Sequence, residues 1–223
     1  MTFSIAGRCP ETGQIGFAVT TSSVCVGARV GAVTDGCVVF SQARTDPRLH
    51  RVGVDAWGKT GSAQATLDAM QAAAVSPHWR QLGVLPATGN GVHLTGASCL
   101  PHCGGLTGAN SLALGNFLGT DKVLPALIET FEAEKGPLAW RLVKALRAGE
   151  AAGSEVDPLQ SSAVMVLGQD DLKDVDLRVD YAADPLVALQ DLLADWLPKA
   201  PAYRLRAIDP DSAPSSSLVE RKG

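Results

Sequence analysis

The sequence predicts an α+β protein built as a four-layer αββα sandwich: two mainly antiparallel sheets packed face to face, with helices outside them. Three observations lead there. Strand-like segments come in turn-linked groups rather than alternating singly with helices, which favours antiparallel pairing over a doubly wound parallel sheet. Amphipathic helices come in pairs between those groups, and each has one apolar stripe that needs a sheet to cover it. The 223 residues are 46% hydrophobic and 19% charged, which supplies one substantial core at a length suited to a single domain. The domain is expected to span residues 1–198, followed by a poorly ordered tail over 199–223 in which Pro201, Pro210, Pro214 and Ser215 to Ser217 leave little to pack.

The elements follow in chain order. Phe3 and Ile5 alternate with Thr2 and Ser4, Ile15, Phe17 and Val19 alternate with small residues, and Pro10-Glu11-Thr12-Gly13 between them has turn chemistry. This predicts a hairpin whose first strand begins at the second residue. Val38 to Phe40 form a strand ending in Ser41-Gln42. Asp46-Pro47 starts a helix carrying Leu49, Val52, Ala56 and Trp57, and Ser62 caps a second with Ala63, Leu67, Met70 and Ala74 on one face. A second hairpin runs from Gln81 to Pro86 and from Val92 to Thr95, and Ser111 to Leu118 is a strand interrupted by Gly115. A further helix pair buries Val123, Leu127 and Phe131, then Leu138, Leu142, Ala145, Leu146 and Gly149, the two separated by Gly136-Pro137. After a loop over Ala151 to Leu159, Ala163 to Leu167 and Val175 to Val179 close the strands. Asp184-Pro185 opens a last helix with Leu186, Leu189, Leu193 and Trp196 inward.

Composition narrows the function. Nineteen Lys and Arg against 23 Asp and Glu give a net charge of −4, and no basic run is present to track a phosphate backbone, so no nucleic-acid partner is expected. No apolar stretch approaches the roughly 18 to 20 residues of a bilayer span and no signal segment precedes Pro10, so a cytoplasmic protein with no membrane contact is expected. Cys9, Cys25, Cys37, Cys99 and Cys103 are odd in number and scattered, which predicts reduced thiols. Walker, dinucleotide-binding, Gly-x-Ser-x-Gly and His-Glu-x-x-His motifs are absent. His93, Cys99, His102 and Cys103 fall within eleven positions but lack recognised zinc spacing. No metal and no cofactor are therefore expected, with a zinc hydrolase on His93, Cys99 and His102 kept as a minor alternative.

Thr2 is the residue of most interest. If Met1 is removed, a hydroxyl and an α-amine share one residue, and an amine of ordinary pKa about 7.7 to 8.0 can act as base for the hydroxyl. While Met1 is attached, that nitrogen is an amide and cannot.

The opening Thr2-Phe3-Ser4-Ile5-Ala6, the turn Pro10-Glu11-Thr12-Gly13 and Gly16-Phe17-Ala18-Val19 resemble domain of unknown function 1028. Further matches run in order over residues 2–180: Val26-Gly27, Ser41-Gln42-Ala43, Arg80-Gln81-Leu82-Gly83-Val84, Thr95-Gly96 with Cys99, Gly115-Asn116, Gly149 to Gly153, Gln160-Ser161 and Val175 to Asp180. The resemblance implies the N-terminal nucleophile (Ntn) hydrolase-like fold and with it an amide-hydrolysing site, the family itself having no activity to carry over. Departures from the family pattern are Gly153 to Pro158 in place of a charged Gly-Asp-x-Arg-Gly, His102 for a tryptophan, and Leu114 for a glutamine.

The resulting candidate site has Thr2 as nucleophile and Asn116 as oxyanion donor. Ser22, Ser23, Gln42, Gln160 and Ser161 are the residues proposed to contact a small-molecule substrate or ligand. Two function classes stay open: an amidohydrolase using Thr2 after loss of Met1, and a catalytically silent sandwich that binds a small metabolite or partner protein. Self-association is compatible with either, and nothing in the sequence sets the number of subunits. Arg44, Asp46, Arg48, His50 and Arg51 form the densest charged cluster, read first as a solvated helix start.

Overall fold

The structure, a computed structural model, describes residues 1–99 and 102–220. Among these residues, ten strands form two sheets. The first has the order β10 (Lys173–Val179), β9 (Ser161–Leu167), β2 (Ile15–Thr21), β1 (Thr2–Arg8), β8 (Ser111–Asn116), β7 (Gly104–Thr107). The second has the order β3 (Gly31–Thr34), β4 (Cys37–Ala43), β5 (Arg80–Pro86), β6 (Val92–Thr95). Every pairing is antiparallel. Helices α1 (Arg48–Thr60) and α2 (Ala63–Ala73) connect β4 to β5, α3 (Val123–Ala133) and α4 (Leu138–Ala151) connect β8 to β9, and α5 (Pro185–Trp196) follows β10.

Three separate apolar interfaces make these elements four layers. Phe3 and Ile5 of β1 point outward and meet Leu127 and Phe131 of α3, Leu142 and Leu146 of α4 and Leu189 of α5. Ala6, Phe17, Phe40, Leu112 and Leu114 fill the space between the sheets, where the Phe17 and Phe40 rings meet edge to face at 5.5 Å. Val39, Leu82 and Val84 on the far face of the second sheet pack on Leu49 of α1 and on Leu67 and Met70 of α2. The αββα sandwich is therefore the observed architecture. No helix of the described residues is long and apolar enough to cross a membrane, and all five cysteines are free thiols.

The sequence does not anticipate β3 and β7. Both are four-residue edge strands with glycine in them, and their ladders come from β4 and β8 rather than from their own alternation. Within the span expected as a poorly ordered tail, the described residues 199–220 hold two helices. Ala200–Ile208 is α6 and Ser216–Val219 is α7. Tyr203 stacks on Trp196 with ring centroids 5.1 Å apart, and Arg204 donates to Asp174 at 2.9 Å. These are tertiary contacts that composition alone does not reveal.

Candidate active site at the N-terminal end of β1

Period-two alternation decides what the inner layer contains. Along β1, Thr2, Ser4 and Ala6 face the second sheet; along β4 it is Val38, Phe40 and Gln42, and along β5 it is Gln81, Gly83 and Leu85. Toward one end of the sandwich, the inward residues change from apolar to polar. Thr2, Ser4, Thr21, Gln42, Gln81 and Asn116 gather there, all buried. Buried polar groups need partners, and these supply one another. Ser4 donates to Gln42 Oε1 at 2.8 Å, and Gln42 Nε2 donates to Gln81 Oε1 at 2.7 Å. Asn116 Nδ2 donates to the same Gln81 oxygen at 3.0 Å. Gln81 Nε2 in turn donates to Thr95 Oγ1 at 2.9 Å and to the carbonyls of Gly104 at 3.0 Å and Gly115 at 2.9 Å.

Thr2 lies beside this network. It is paired directly with Asn116 across β1 and β8, is only 4% exposed, and its hydroxyl lies 3.3 Å from that of Thr21. Both hydroxyls donate to the carbonyl oxygen of Met1. Met1 also lines a cavity of about 150 Å³, with Arg44, Trp79, Cys99 and Phe117 among its walls. The Arg44 guanidinium lies over the Trp79 ring at 3.8 Å. Ala43 and Phe117, which border the same cavity, are held at φ 69° and 55°. That left-handed conformation is costly for residues with a Cβ and recurs at functional clefts.

Glu155 closes the end of β1 from the other side. Its backbone bridges Leu118, two residues past Asn116, and its Oε2 accepts from the backbone N–H of Ser22 at 3.0 Å. It is 6% exposed, and burial pushes its carboxyl up to about 7, against a downward pull from the α-amine of Met1.

The sequence-selected residues divide in three dimensions. Asn116 and Gln42 belong to the network described, and Thr2 stands beside it as the register partner of Asn116. One N–H of Asn116 is committed to Gln81, while its Oδ1 has no donor among the described residues. Ser161 is committed to local structure: its hydroxyl donates to the Ser23 carbonyl at 2.6 Å and accepts from Val26 N–H at 3.1 Å. The backbone of Gln160 links Thr21 to Ala182. Ser22 gives its N–H to Glu155, and Ser23 is an exposed acceptor for Arg29. Asp46 is pinned by Arg48, which holds its carboxyl down at about 2. Among the described residues, no group of three or more His, Cys, Asp or Glu is placed to hold a metal ion. His93 packs beside Gly105, and Cys99 Sγ faces the Arg80 carbonyl at 3.6 Å.

Sequence reasoning missed Thr21 and Glu155 as site residues and met Gln81 only inside a matched stretch. For Gln81 the signal was available: a glutamine sharing inward parity with Gly83 and Leu85 must be buried on the sheet interface. Glu155 gave no such signal, because its placement depends on a loop folding back onto the end of β8.

Three comparisons bear on this geometry. The model of the family of unknown function DUF1028 matches residues 2–189. The crystal structure of protein SPO2555 from Silicibacter pomeroyi, assigned to the same family, is similar with TM-score 0.80 and 33% identity, covering 87% of this chain and 89% of that one. HslV from Trypanosoma brucei aligns at TM-score 0.47 and 13% identity over 75% of this chain and 99% of that one. No match to a curated protein was found. With a family match across most of its length, borne on the strands that build the polar end of the inner layer, the chain belongs to the DUF1028 family of unknown function.

Proposed function

We propose that this protein is an amide hydrolase whose nucleophile is the hydroxyl of Thr2, exposed with a free α-amine once Met1 is removed. The observation that carries the reading is the convergence of the Thr2 and Thr21 hydroxyls on a single carbonyl oxygen, that of Met1, beside a cavity. With Met1 gone, both hydroxyls lose that acceptor, and the space beside them opens to the cavity from which a substrate carbonyl can approach Thr2 Oγ.

The chemistry then needs only this chain. The Thr2 α-amine takes the proton of its own hydroxyl as Oγ adds to the carbonyl carbon, giving a tetrahedral oxyanion. Thr21 Oγ is the donor placed for that oxyanion. Collapse breaks the C–N bond, the ammonium returns its proton to the leaving nitrogen, and the acyl group stays on Oγ as an ester. Water activated by the same amine hydrolyses the ester. Asn116 was expected to serve as oxyanion donor, but with one N–H held by Gln81 it stands behind Thr21 in this role. A cavity of about 150 Å³ suits a small acyl group. Because the amine must be neutral to accept a proton, the rate rises with pH through the amine's pKa.

A β-lactone of small acyl size tests the reading, since attack by Oγ opens the ring and leaves a stable ester whose mass is read directly. The expected result is one equivalent of adduct on the N-terminal peptide, reduced about 10³-fold or more in Thr2→Ala and absent when residues still precede Thr2. Labelling that persists in Thr2→Ala overturns the proposal.

A further inference from the structure

We infer that the side-chain carbonyl of Asn116 and the second carboxylate oxygen of Glu155 form a seat for the liberated α-amine of Thr2, so that this end of the sandwich is built for a chain that begins at Thr2. The inference rests on the reading above for the identity of the nucleophile, while its own observations are independent of hydrolysis.

The first observation is that Asn116 cannot be turned around. The amide nitrogen of Gln81 sits against two backbone carbonyls, those of Gly104 and Gly115. Reversing the Gln81 amide would set oxygen against oxygen twice, so its orientation is fixed by groups that can only accept. Gln81 Oε1 must therefore face Gln42 and Asn116, and Asn116 must offer it an N–H. That leaves Asn116 Oδ1, on a residue with no exposed surface, without a donor among the described residues. A buried acceptor left unpaired costs about 1 to 3 kcal/mol.

The second observation is a like deficit nearby. Glu155 accepts from Ser22 N–H through Oε2, but its buried Oε1 has no donor among the described residues. Topology brings both deficits to one place. β1 lies between β2 and β8, Asn116 stands opposite Thr2, Ser22 follows the last residue of β2, and Glu155 bridges Leu118 beyond Asn116. Both orphaned acceptors thus flank the N-terminal end of β1. An amide nitrogen at Thr2 carries one hydrogen, whereas an ammonium carries three and a charge. Charge-assisted bonds to an amide oxygen and a carboxylate would satisfy both deficits and hold the amine beside its own hydroxyl. The Glu155 carboxyl already responds to the α-amine of Met1, one residue further out. Other charged or titratable groups facing this end are Asp157 next to Glu155, Arg44 and Cys99 in the cavity wall, and Glu150 and Asp184 across an open pocket on the far side of Glu155. Glu155 is a positioning residue in this scheme.

The test reads the amine directly. The full chain lacking Met1 is acetylated with trace acetic anhydride across a pH series, and the N-terminal peptide is quantified by mass spectrometry to give the amine's pKa. In the unmodified protein that pKa is expected above its value in the denatured chain. Glu155→Gln is expected to lower it by about one, and Asn116→Leu, which removes the amide oxygen without adding a charge, to lower it by a smaller amount. Circular dichroism checks each fold, and the unmodified protein supplies a result even where a variant does not fold. An amine pKa at or below that of the denatured chain, or one unmoved by both folded variants, overturns the inference. Its failure is distinct from failure of the proposed hydrolysis: β-lactone labelling that depends on Thr2 with an unmoved amine pKa removes only the seat. Labelling independent of Thr2 with a shifted amine pKa removes only the hydrolase.

Discussion

Gln81 holds the polar end of the inner layer together, because it accepts from two amides through one oxygen and donates to three acceptors through its nitrogen. Gln81→Leu leaves the Gln42 and Asn116 N–H groups without their acceptor in a dry interface. At about 1 to 3 kcal/mol for each orphaned group, the expected loss of stability by chemical denaturation is at least about 2 kcal/mol. Thr21→Val is the corresponding test of function. It removes the hydroxyl donor without changing side-chain size much, and labelling by the lactone is expected to slow about 10²-fold with little change in stability. Glu155 makes a prediction about pH. Its folded-state carboxyl is raised from 4.5 to about 7, so between those values the folded state binds more protons than the unfolded one. Its contribution to stability therefore falls as pH climbs through that window and is constant on either side of it. In Glu155→Gln the fall of roughly 3 kcal/mol should disappear, read from melting curves at pH 4.5 and 7.5 on the chain that retains Met1. At this scale, legibility in the sequence followed local signals. Thr2 stands out by its place after Met1, Asn116 by following Gly115 on a strand, and Gln42 by ending a strand within a stretch that resembles the family. Ser161 stands out by that resemblance and Ser23 by following β2, and the structure employs both in holding the 22–26 turn.

Among the elements, β1 and β2 are legible from their first residues because a two-residue period is hard to mimic. Their close contacts are less so. A Cβ added at Gly16 would meet the Met165 carbonyl oxygen at 2.3 Å and Val166 Cα at 2.9 Å on the paired strand β9. These are backbone atoms that cannot turn aside, so Gly16→Ala is expected to cost about 1 to 3 kcal/mol, and toward the upper end of that range. The paired helices were read correctly from their stripes, and α2 from its cap: Ser62 accepts from Ala65 N–H as a helix start requires. Edge strands β3 and β7 escaped because a short strand at an edge owes its shape to its neighbour rather than to its own sequence. Irregular segments follow the same logic. The Glu155 loop is fixed by Val156 N–H donating to the Phe117 carbonyl and Gly119 N–H to the Ser154 carbonyl, contacts between segments more than thirty residues apart.

For the whole molecule, the four layers divide the work. Three apolar interfaces stabilise the sandwich, and the middle one changes character along its length, from Phe17 and Phe40 to Gln42 and Gln81. The proposed nucleophile sits at that change, since β1 presents its first residue at the polar end while its later residues are clamped by the core. The C-terminal helices lie outside this scheme. They follow the residues 2–189 matched by the family model and attach through the Trp196–Tyr203 stack and the Arg204 ion pairs with Asp170 and Asp174. A chain ending at residue 198 is therefore expected to fold, melt a few degrees lower and label with the lactone as the full chain does. The proposed hydrolase begins at Thr2, and the intact mass of the protein isolated from its native host tests this. A mass lower than that of the full sequence by one methionine residue is expected, with unmodified threonine as the first residue on sequencing. A mass that retains Met1, or a blocked threonine amine, contradicts it.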